Sequence, residues 1–189
     1  RVTAVEQKDT ALSNLISYSE RNTTNMDLKD RIARLAATSV QDNDIIYIDT
    51  GTSTLGIIDY LNRVSNLTLI TNSVLVASKA LAHDNIKTII LPGVVNLRTA
   101  SSTGSECLEY LRRYHIQKSF MACTGITELG AANTSPEESA VKRLALEQSQ
   151  THYFLIDHTK FDKPALMVYS PISRMDCVFT DRLPSEKYL

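Results

Sequence analysis

The stretch of sequence that decides the fold is Asp44-Ile45-Ile46-Tyr47-Ile48-Asp49-Thr50-Gly51-Thr52-Ser53-Thr54-Leu55. Its apolar run predicts a buried strand that breaks into a turn of glycine and hydroxyl residues. Gly51 can adopt a positive φ there, and the residues after it offer hydroxyl groups. The unpaired N–H groups of the helix that follows would point into the same turn. The turn is therefore a candidate anion-binding site that a phosphate would fit.

Strand-length apolar runs alternate with segments of helical periodicity along the chain. This alternation predicts an α/β fold, a mostly parallel sheet flanked by helices, because strands separated by helices are joined by right-handed crossovers. Pro92-Gly93 interrupts the alternation, and we expect the polar stretch 96–105 to be a mobile loop before a helix that carries Leu108 and Leu111. The predicted strands are 45–48, 67–70, 86–91, 119–123, 152–156 and 177–180, and the predicted helices are 27–40, 53–63, 73–81 and one that begins at 136.

Composition and charge bound the class of protein. The 189 residues are 43% hydrophobic and 22% charged, which suits one domain with a well-formed core. The 20 basic and 21 acidic residues leave a net charge of -1, which lacks the positive excess of a surface that neutralises many phosphates. We therefore expect this chain not to be the part of a protein that grips DNA.

Further sequence features favour a soluble protein of the cytoplasm. No apolar run approaches the ~20 residues that span a bilayer, and no signal segment opens the chain. The cysteines Cys107, Cys123 and Cys177 are widely separated and have no close-spaced Cys or His partners of the kind that bind zinc. We expect reduced thiols, no metal and no cofactor.

Other polar clusters fall at predicted strand ends, where open parallel sheets place their ligand sites. Thr71-Asn72-Ser73 can cap the next helix or turn the same groups toward a ligand. Asp157 and Lys160 end another strand together, and Lys160 can pair with a phosphate or with Asp157.

A third cluster, Ser135-Pro136-Glu137-Glu138-Ser139-Ala140-Val141-Lys142, is typical of a helix start. Ser135 would cap the helix, Pro136 would take its first position, and the helix dipole favours acidic residues there. Glu138 and Lys142 are spaced for an exposed pair worth roughly 0.2–0.5 kcal/mol. Alternatively, Glu137 and Glu138 accept hydrogen bonds from a ligand.

Taken in order, these clusters resemble the effector-sensing domain of the DeoR family of bacterial sugar-metabolism repressors. The resemblance covers almost the whole chain and implies that residues 1–189 form a single effector-binding domain. It also implies an N-terminal winged helix-turn-helix, absent from this chain, that binds operator DNA. Further matching landmarks are Lys29-Asp30-Arg31-Ile32-Ala33, Leu91-Pro92-Gly93, Gly104, Gly125-Ile126 and Val178-Phe179-Thr180-Asp181.

The family shares its fold with ribose-5-phosphate isomerases, which provides the enzyme alternative. Isomerisation needs a carboxylate within reach of a carbon-bound proton. The isomerases carry an Asp-Gly-Ala-Asp-Glu type of segment where this chain reads Cys123-Thr124-Gly125-Ile126-Thr127, so those carboxylates are missing. Glu137 or Glu138 remains as a base. We predict binding without turnover and no catalytic residue, and an oligomerisation module with a vestigial pocket is the third alternative.

The resemblance implies a pocket for a phosphorylated sugar or sugar derivative. In this hypothesis the Gly51 turn holds the phosphate, Lys160 adds positive charge and Arg98 closes over the ligand. Binding then shifts the pairing of subunits in a homo-oligomer, because a ligand moves an equilibrium through its differential affinity for two states. The predicted ligand-binding residues are Asp49, Gly51, Thr52, Ser53, Thr54, Thr71, Asn72, Ser73, Gly93, Arg98, Gly125, Glu137, Glu138, Lys142, Asp157 and Lys160.

Overall fold

The computed structural model describes residues 25–189, which fold into an α/β domain. Its helices are α1 (Met26–Ala37), α2 (Thr52–Leu55), α3 (Val74–Ala80), α4 (Ser105–Leu111) and α5 (Pro136–Glu147). Its strands are β1 (Ile45–Ile48), β2 (Leu67–Thr71), β3 (Ile86–Ile90), β4 (Val94–Asn96), β5 (Ser101–Thr103), β6 (Ile116–Met121), β7 (Gly125–Thr127), β8 (Gly130–Asn133), β9 (Ser149–Leu155), β10 (Met167–Ser170) and β11 (Cys177–Phe179).

Six of these strands form one parallel sheet in the order β11-β9-β6-β1-β2-β3. This arrangement confirms the predicted fold class. β1 lies in the interior of the sheet, where Tyr47 pairs with Ile70 on β2 and with Ser119 on β6. Because the strands are parallel, the segments that follow β1, β2, β6 and β9 all emerge at the same edge.

Each face of the sheet packs into its own hydrophobic core. Ile46 and Ile48 point to one face, where they join Ile32 of α1, whereas Tyr47 points to the other and joins Leu144 of α5. This follows from the two-residue period of a strand, which sends successive side chains to opposite faces. The two cores hold α1 and α5 on opposite faces of the sheet.

Two small antiparallel sheets were not predicted from the sequence. One has the order β10-β8-β7, and the other is the hairpin β4–β5. β5 falls inside the stretch 96–105, so the prediction of a loop throughout that stretch was wrong. The buried hydroxyls of Ser101 and Ser102 have hydrogen-bond partners: Ser101 Oγ donates to Glu138 at 3.0 Å, and Ser102 Oγ donates to the Leu91 carbonyl at 2.8 Å.

The predicted helix over residues 53–63 was wrong in length and type. The chain forms the four-residue α2 and then a 3-10 turn over Gly56–Tyr60. The change falls at Gly56, where the chain packs closely on α1: a Cβ there would lie 3.0 Å from the Cβ of Ala33. No helix within the described part of the chain is long and apolar enough to cross a membrane.

Candidate functional site

A cavity of about 200 Å³ lies at the carboxyl edge of the parallel sheet. Its walls come from the segments that follow β1, β6 and β9, together with α1, α5 and the loop of the β4–β5 hairpin. This is the edge at which the sequence predicted a site. The lining residues are Asn25, Lys29, Thr50, Gly51, Thr52, Ser53, Thr99, Ala122, Cys123, Thr124, Asn133, Glu138, Lys142, Leu155, Asp157, Thr159 and Lys160.

The turn after β1 forms one wall of this cavity, but not through the predicted backbone conformation. Gly51 is the N-cap of α2 with φ -81° and ψ 151°, so the positive φ that a glycine allows is not used there. A glycine suits the position because a Cβ would lie 2.2 Å from the Cβ of Ala122. Thr54 Oγ1 donates to the carbonyls of Asp49 (2.7 Å) and Gly51 (2.9 Å). Thr50, Thr52 and Ser53 of this turn line the cavity, whereas Thr54 does not.

A buried ion pair lies beneath the turn. Lys142 of α5 donates to the Asp49 carboxylate, which also accepts from the Ala122 N–H at 2.9 Å. Lys142 Nζ donates as well to the Ala122 carbonyl at 3.0 Å. The predicted exposed Glu138–Lys142 pair was wrong, because this face of α5 packs against the sheet edge and buries both side chains. The pair joins α5 to the ends of β1 and β6.

Glu138 of α5 also lines the cavity. Its carboxylate accepts hydrogen bonds from Ser101 Oγ and Asn133 Nδ2, each at 3.0 Å, and from the Thr99 hydroxyl. Burial alone would raise the pKa of Glu138, but the hydrogen bonds from Thr99 and Asn133 and the charge of Lys142 outweigh it, so the pKa is lowered. Glu138 is thus a buried carboxylate that is ionised at neutral pH.

Asp157 and Lys160 lie on the turn after β9. The Asp157 carboxylate accepts from the backbone N–H of Thr159 at 3.0 Å and from its hydroxyl. Within residues 25–189 the Lys160 ammonium has no ion pair, so the alternative in which it pairs with Asp157 is not adopted. Lys160 therefore offers its positive charge to the cavity.

The Thr71-Asn72-Ser73 cluster does not line the cavity. Thr71 Oγ1 donates to the Ile48 carbonyl at 2.6 Å and accepts from the Ser73 N–H at 3.0 Å. The Asn72 amide accepts from Tyr47 Oη at 2.7 Å and donates to the Ser102 carbonyl at 2.9 Å. Ser73 Oγ caps α3 by accepting from the Val76 N–H at 3.2 Å, which confirms the capping alternative.

Six other predicted residues also lie outside the cavity wall. Gly93 and Gly125 allow close backbone packing, because a Cβ would lie 2.4 Å from the Thr103 carbonyl oxygen in one case and 2.2 Å from that of Lys163 in the other. Glu137 is exposed and accepts from Ser135 Oγ at 2.9 Å. Arg98 is exposed in the hairpin loop. Asp49 and Thr54 support the cavity from below without lining it.

Sequence reasoning missed several members of the site. Asn133 and Thr99 lie on or beside short strands that carry no clear periodicity, whereas Lys29 stood in a quoted family motif and could have been found there. Cys123 was not among the predicted site residues, yet it lines the cavity. Burial raises the pKa of Cys123 to about 12 against the charges of Lys142 and Lys160, so its thiol stays protonated.

Tyr169 was missed as well. It packs behind the cavity, donates from its hydroxyl to the Ala122 carbonyl at 2.9 Å and places its ring 5.5 Å from Lys142 Nζ. No group of three or more His, Cys, Asp or Glu in residues 25–189 is arranged to hold a metal ion.

A polar cavity at the carboxyl ends of the strands is where parallel α/β domains bind small molecules. Residues 24–182 match the DeoR C terminal sensor domain, and the chain belongs to this family.

Two relatives are regulators. The chain is 34% identical over 92% of its length to the HTH-type transcriptional regulator IolR of Bacillus subtilis, covering 70% of that protein. It is 27% identical over 88% of its length to the glycerol-3-phosphate regulon repressor of Escherichia coli, covering 67% of it. The chain thus spans about two thirds of the length of these regulators.

A solved structure shares the fold. A D-ribose-5-phosphate isomerase in complex with phospho-erythronic acid superposes with a TM-score of 0.54 at 15% sequence identity. The match covers 72% of this chain and 54% of the isomerase. At this identity the likeness establishes a common fold and nothing about activity.

Proposed function

We propose that this chain is the effector-sensing domain of a transcriptional repressor of sugar metabolism and that its effector is a phosphorylated sugar or sugar derivative. The observation that carries the proposal is that one cavity is lined both by groups that favour an anion and by groups that favour hydroxyl donors. The Gly51 turn and the Lys160 ammonium, which has no ion pair within residues 25–189, favour an anion, whereas the carboxylates of Glu138 and Asp157 favour hydroxyl donors.

The phosphate would lie against the Gly51 turn. The first N–H groups of α2 lack partners within the helix, and the hydroxyls of Thr52 and Ser53 stand beside them. Lys160 supplies positive charge, since charge-assisted hydrogen bonds are about twice as strong as neutral ones. The glycerol-3-phosphate regulon of one relative and the phospho-erythronic acid bound to the isomerase are consistent with a phosphorylated ligand.

The sugar hydroxyls would bind the carboxylates. Ionised carboxylates accept hydrogen bonds and donate none, so Glu138 and Asp157 suit the hydroxyl groups of a polyol. A cavity of about 200 Å³ is smaller than the 300–1,000 Å³ typical of drug-sized ligands, which fits a small metabolite.

We infer that operator DNA is bound by a helix-turn-helix domain of the full-length protein, outside this chain. Both the names of relatives and the share of them that this chain covers support this division. Effector binding would change DNA affinity through subunit pairing in a homo-oligomer in the cytoplasm, as a coupling free energy between two sites.

Turnover is the second candidate function, because Glu138 is a buried carboxylate facing a cavity in an isomerase-like fold. A general base works best with a pKa near the operating pH. The hydrogen bonds to Glu138 lower its pKa, against the burial that would raise it, and so make it a weak base. We therefore infer binding without catalysis.

A thermal-shift screen against phosphorylated sugars and their unphosphorylated parents tests this function. Ligand at 100 times its Kd stabilises a protein by about 2.7 kcal/mol, which is easily seen as a rise in Tm. We expect one sugar phosphate to raise Tm, its parent sugar to have no effect and the ligand to remain unconsumed. Consumption would instead establish the isomerase, and no shift with any phosphate would overturn the proposal.

Lys160→Ala provides the matched variant for this screen. It should reduce the shift caused by the phosphate, whereas Lys163→Ala, which removes an exposed charge from the same segment, should not. Equal shifts in both variants would contradict the assignment of Lys160 to the phosphate.

A further inference from the structure

The turn that follows β9 spans residues 157–162 and brings Asp157, Thr159 and Lys160 to the cavity. The Lys160 N–H donates to the Asp157 carbonyl at 3.0 Å, and the Asp157 carboxylate accepts from the Thr159 N–H at the same distance. These bonds all lie inside the turn, so they shape it without fixing its position on the domain.

Asp181 attaches the first half of this turn to the end of β11. Its side chain is 2% exposed, and its carboxylate accepts from the His158 N–H at 2.8 Å. The same carboxylate lies 2.6 Å from Nδ1 of the His158 ring. Because β11 pairs in parallel with β9, the chain leaves both strands at the same edge, and Asp181 reaches the turn directly.

Tyr188 attaches the second half of the turn. Its ring packs edge-on against Phe161, with the ring centroids 5.0 Å apart and the planes at 73°. Its hydroxyl donates to the Asp162 carboxylate at 2.9 Å and accepts from the Asp162 N–H at 3.2 Å. Lys187 adds an ion pair with the same carboxylate at 2.6 Å. These contacts stabilise Asp162 at φ 58°, a conformation that residues other than glycine rarely adopt.

We propose that residues 181–188 form a strap that fixes the turn 157–162 at both ends and so positions Lys160 at the cavity. The two attachment points flank this lysine, since His158 lies two residues before it and Asp162 two residues after it. Loss of either point would leave one end of the turn free to move. The position of the Lys160 ammonium would then be less well defined.

Asp181 and Tyr188 do not line the cavity, so they are positioning residues and not ligand contacts. The family match ends at residue 182, and both Lys187 and Tyr188 lie beyond it. The second attachment is therefore a feature that the family match does not imply. The strap itself is independent of any ligand, whereas its effect on effector affinity rests on the proposed function.

Hydrogen exchange of the 1–189 chain without ligand, read by mass spectrometry of its peptides, tests the strap. We expect residues 158–162 to exchange about tenfold faster or more in Tyr188→Ala and in Asp181→Ala, because fewer contacts oppose local opening. Exchange in β6 should stay as in the wild type, which separates a loosened turn from a destabilised domain. Glu186→Ala, which removes an exposed side chain from the same segment, should match the wild type throughout.

Wild-type exchange of the turn in either Tyr188→Ala or Asp181→Ala would overturn the strap. Equal acceleration of the turn and β6 in Tyr188→Ala would overturn it as well. Tyr188 is a partly exposed residue near the end of the chain, so this variant remains informative even where Asp181→Ala fails to fold.

A double-mutant cycle with inorganic phosphate as the probe tests the link to the cavity. We expect Tyr188→Ala to raise the phosphate Kd about threefold or more in the wild-type background and to leave it unchanged in Lys160→Ala, because coupled residues are not additive. A merely structural role would raise the Kd by the same factor in both backgrounds, and that result would overturn the link. If the wild-type chain binds no phosphate, the proposed function loses its anion site, whereas the exchange measurement still decides the strap.

Discussion

The turns after β1 and β2 follow neighbouring parallel strands and lie at the same edge of the sheet. Both turns are rich in hydroxyl groups, yet only one of them lines the cavity. The Gly51 turn lines the cavity, whereas the Thr71 turn is covered by the β4–β5 hairpin. The Val74 N–H donates to the Ala100 carbonyl at 2.8 Å, and the Ser102 N–H donates to the Asn72 carbonyl at the same distance. Composition predicts a polar turn, but what covers the turn decides whether a ligand reaches it.

The two turns also differ in what supports them. Beneath the Gly51 turn lies the buried Asp49–Lys142 pair, and the Thr71 turn is instead held by neutral hydrogen bonds. A buried charge is far more costly to leave unpaired than a neutral group. Substitutions that remove these supports should therefore lower the free energy of unfolding by different amounts at the two turns.

The largest effect should come from removing the cation under the Gly51 turn. Lys142→Met leaves the Asp49 carboxylate buried without its partner, and we expect the free energy of unfolding to fall by about 3–5 kcal/mol. Urea denaturation measures this directly. The double variant Asp49→Asn, Lys142→Met should recover part of the loss, and a single-variant loss below that of an ordinary hydrogen bond would show that the pair is not structural.

The next largest effect is a difference in the free energy of unfolding between variants of the two turns. Thr71→Val removes a hydroxyl that makes two buried hydrogen bonds, so we expect a loss of about 1–3 kcal/mol. Thr52→Val changes a cavity-lining hydroxyl with no hydrogen bond inside the described part of the chain, and its effect should stay within about 0.5 kcal/mol. Equal losses in urea would abolish the distinction between a structural turn and a ligand turn.

The sequence predicted the parallel sheet well because its strands are apolar runs that match a buried central sheet. It predicted the Gly51 turn for the same reason, since the turn ends such a strand. It did not predict β5 or β8, whose short sequences Ser-Ser-Thr and Gly-Ala-Ala-Asn lack an apolar period. β5 covers the Thr71 turn, and β8 places Asn133 at the cavity.

The prediction of an exposed Glu138–Lys142 pair on α5 was wrong because both side chains bind residues that are distant in sequence. The spacing of Glu138 and Lys142 is that of an exposed helical pair, and nothing in the helix itself reports that Lys142 meets Asp49, 93 residues away along the chain. The same holds for Glu138 and Ser101, which are 37 residues apart. Side-chain partners at this distance are set by the packing of elements and not by their sequence.

A smaller effect concerns Glu138, which contacts both the cavity and the strand that covers the Thr71 turn. Its pKa is lower in the folded protein than its usual 4.5, so its ionised form stabilises the fold above that value. This contribution is lost as the pH falls through the lowered pKa. The wild-type chain should therefore lose more stability than Glu138→Gln between neutral and acid pH. Parallel urea midpoints across the pH range would contradict this.

The smallest effect concerns Cys123, which faces the cavity beside the Gly51 turn. Its position suggests reactivity, but burial holds its pKa at about 12, and the thiolate is the reactive form. Iodoacetamide at pH 8 should modify Cys123 slowly in the folded chain and rapidly after denaturation, as read by mass spectrometry of its peptide. Fast modification of the folded chain would indicate an activated thiol.

Isothermal titration of Thr52→Val and Thr71→Val with the sugar phosphate that stabilises the wild-type chain tests the central claim most directly. A hydrogen bond to a charged group contributes about 1.5–3 kcal/mol, so Thr52→Val should weaken binding by roughly tenfold to a hundredfold. Thr71→Val should bind with unchanged affinity once folded. If Thr71→Val loses affinity while Thr52→Val keeps it, the ligand does not occupy the Gly51 turn and the account is wrong.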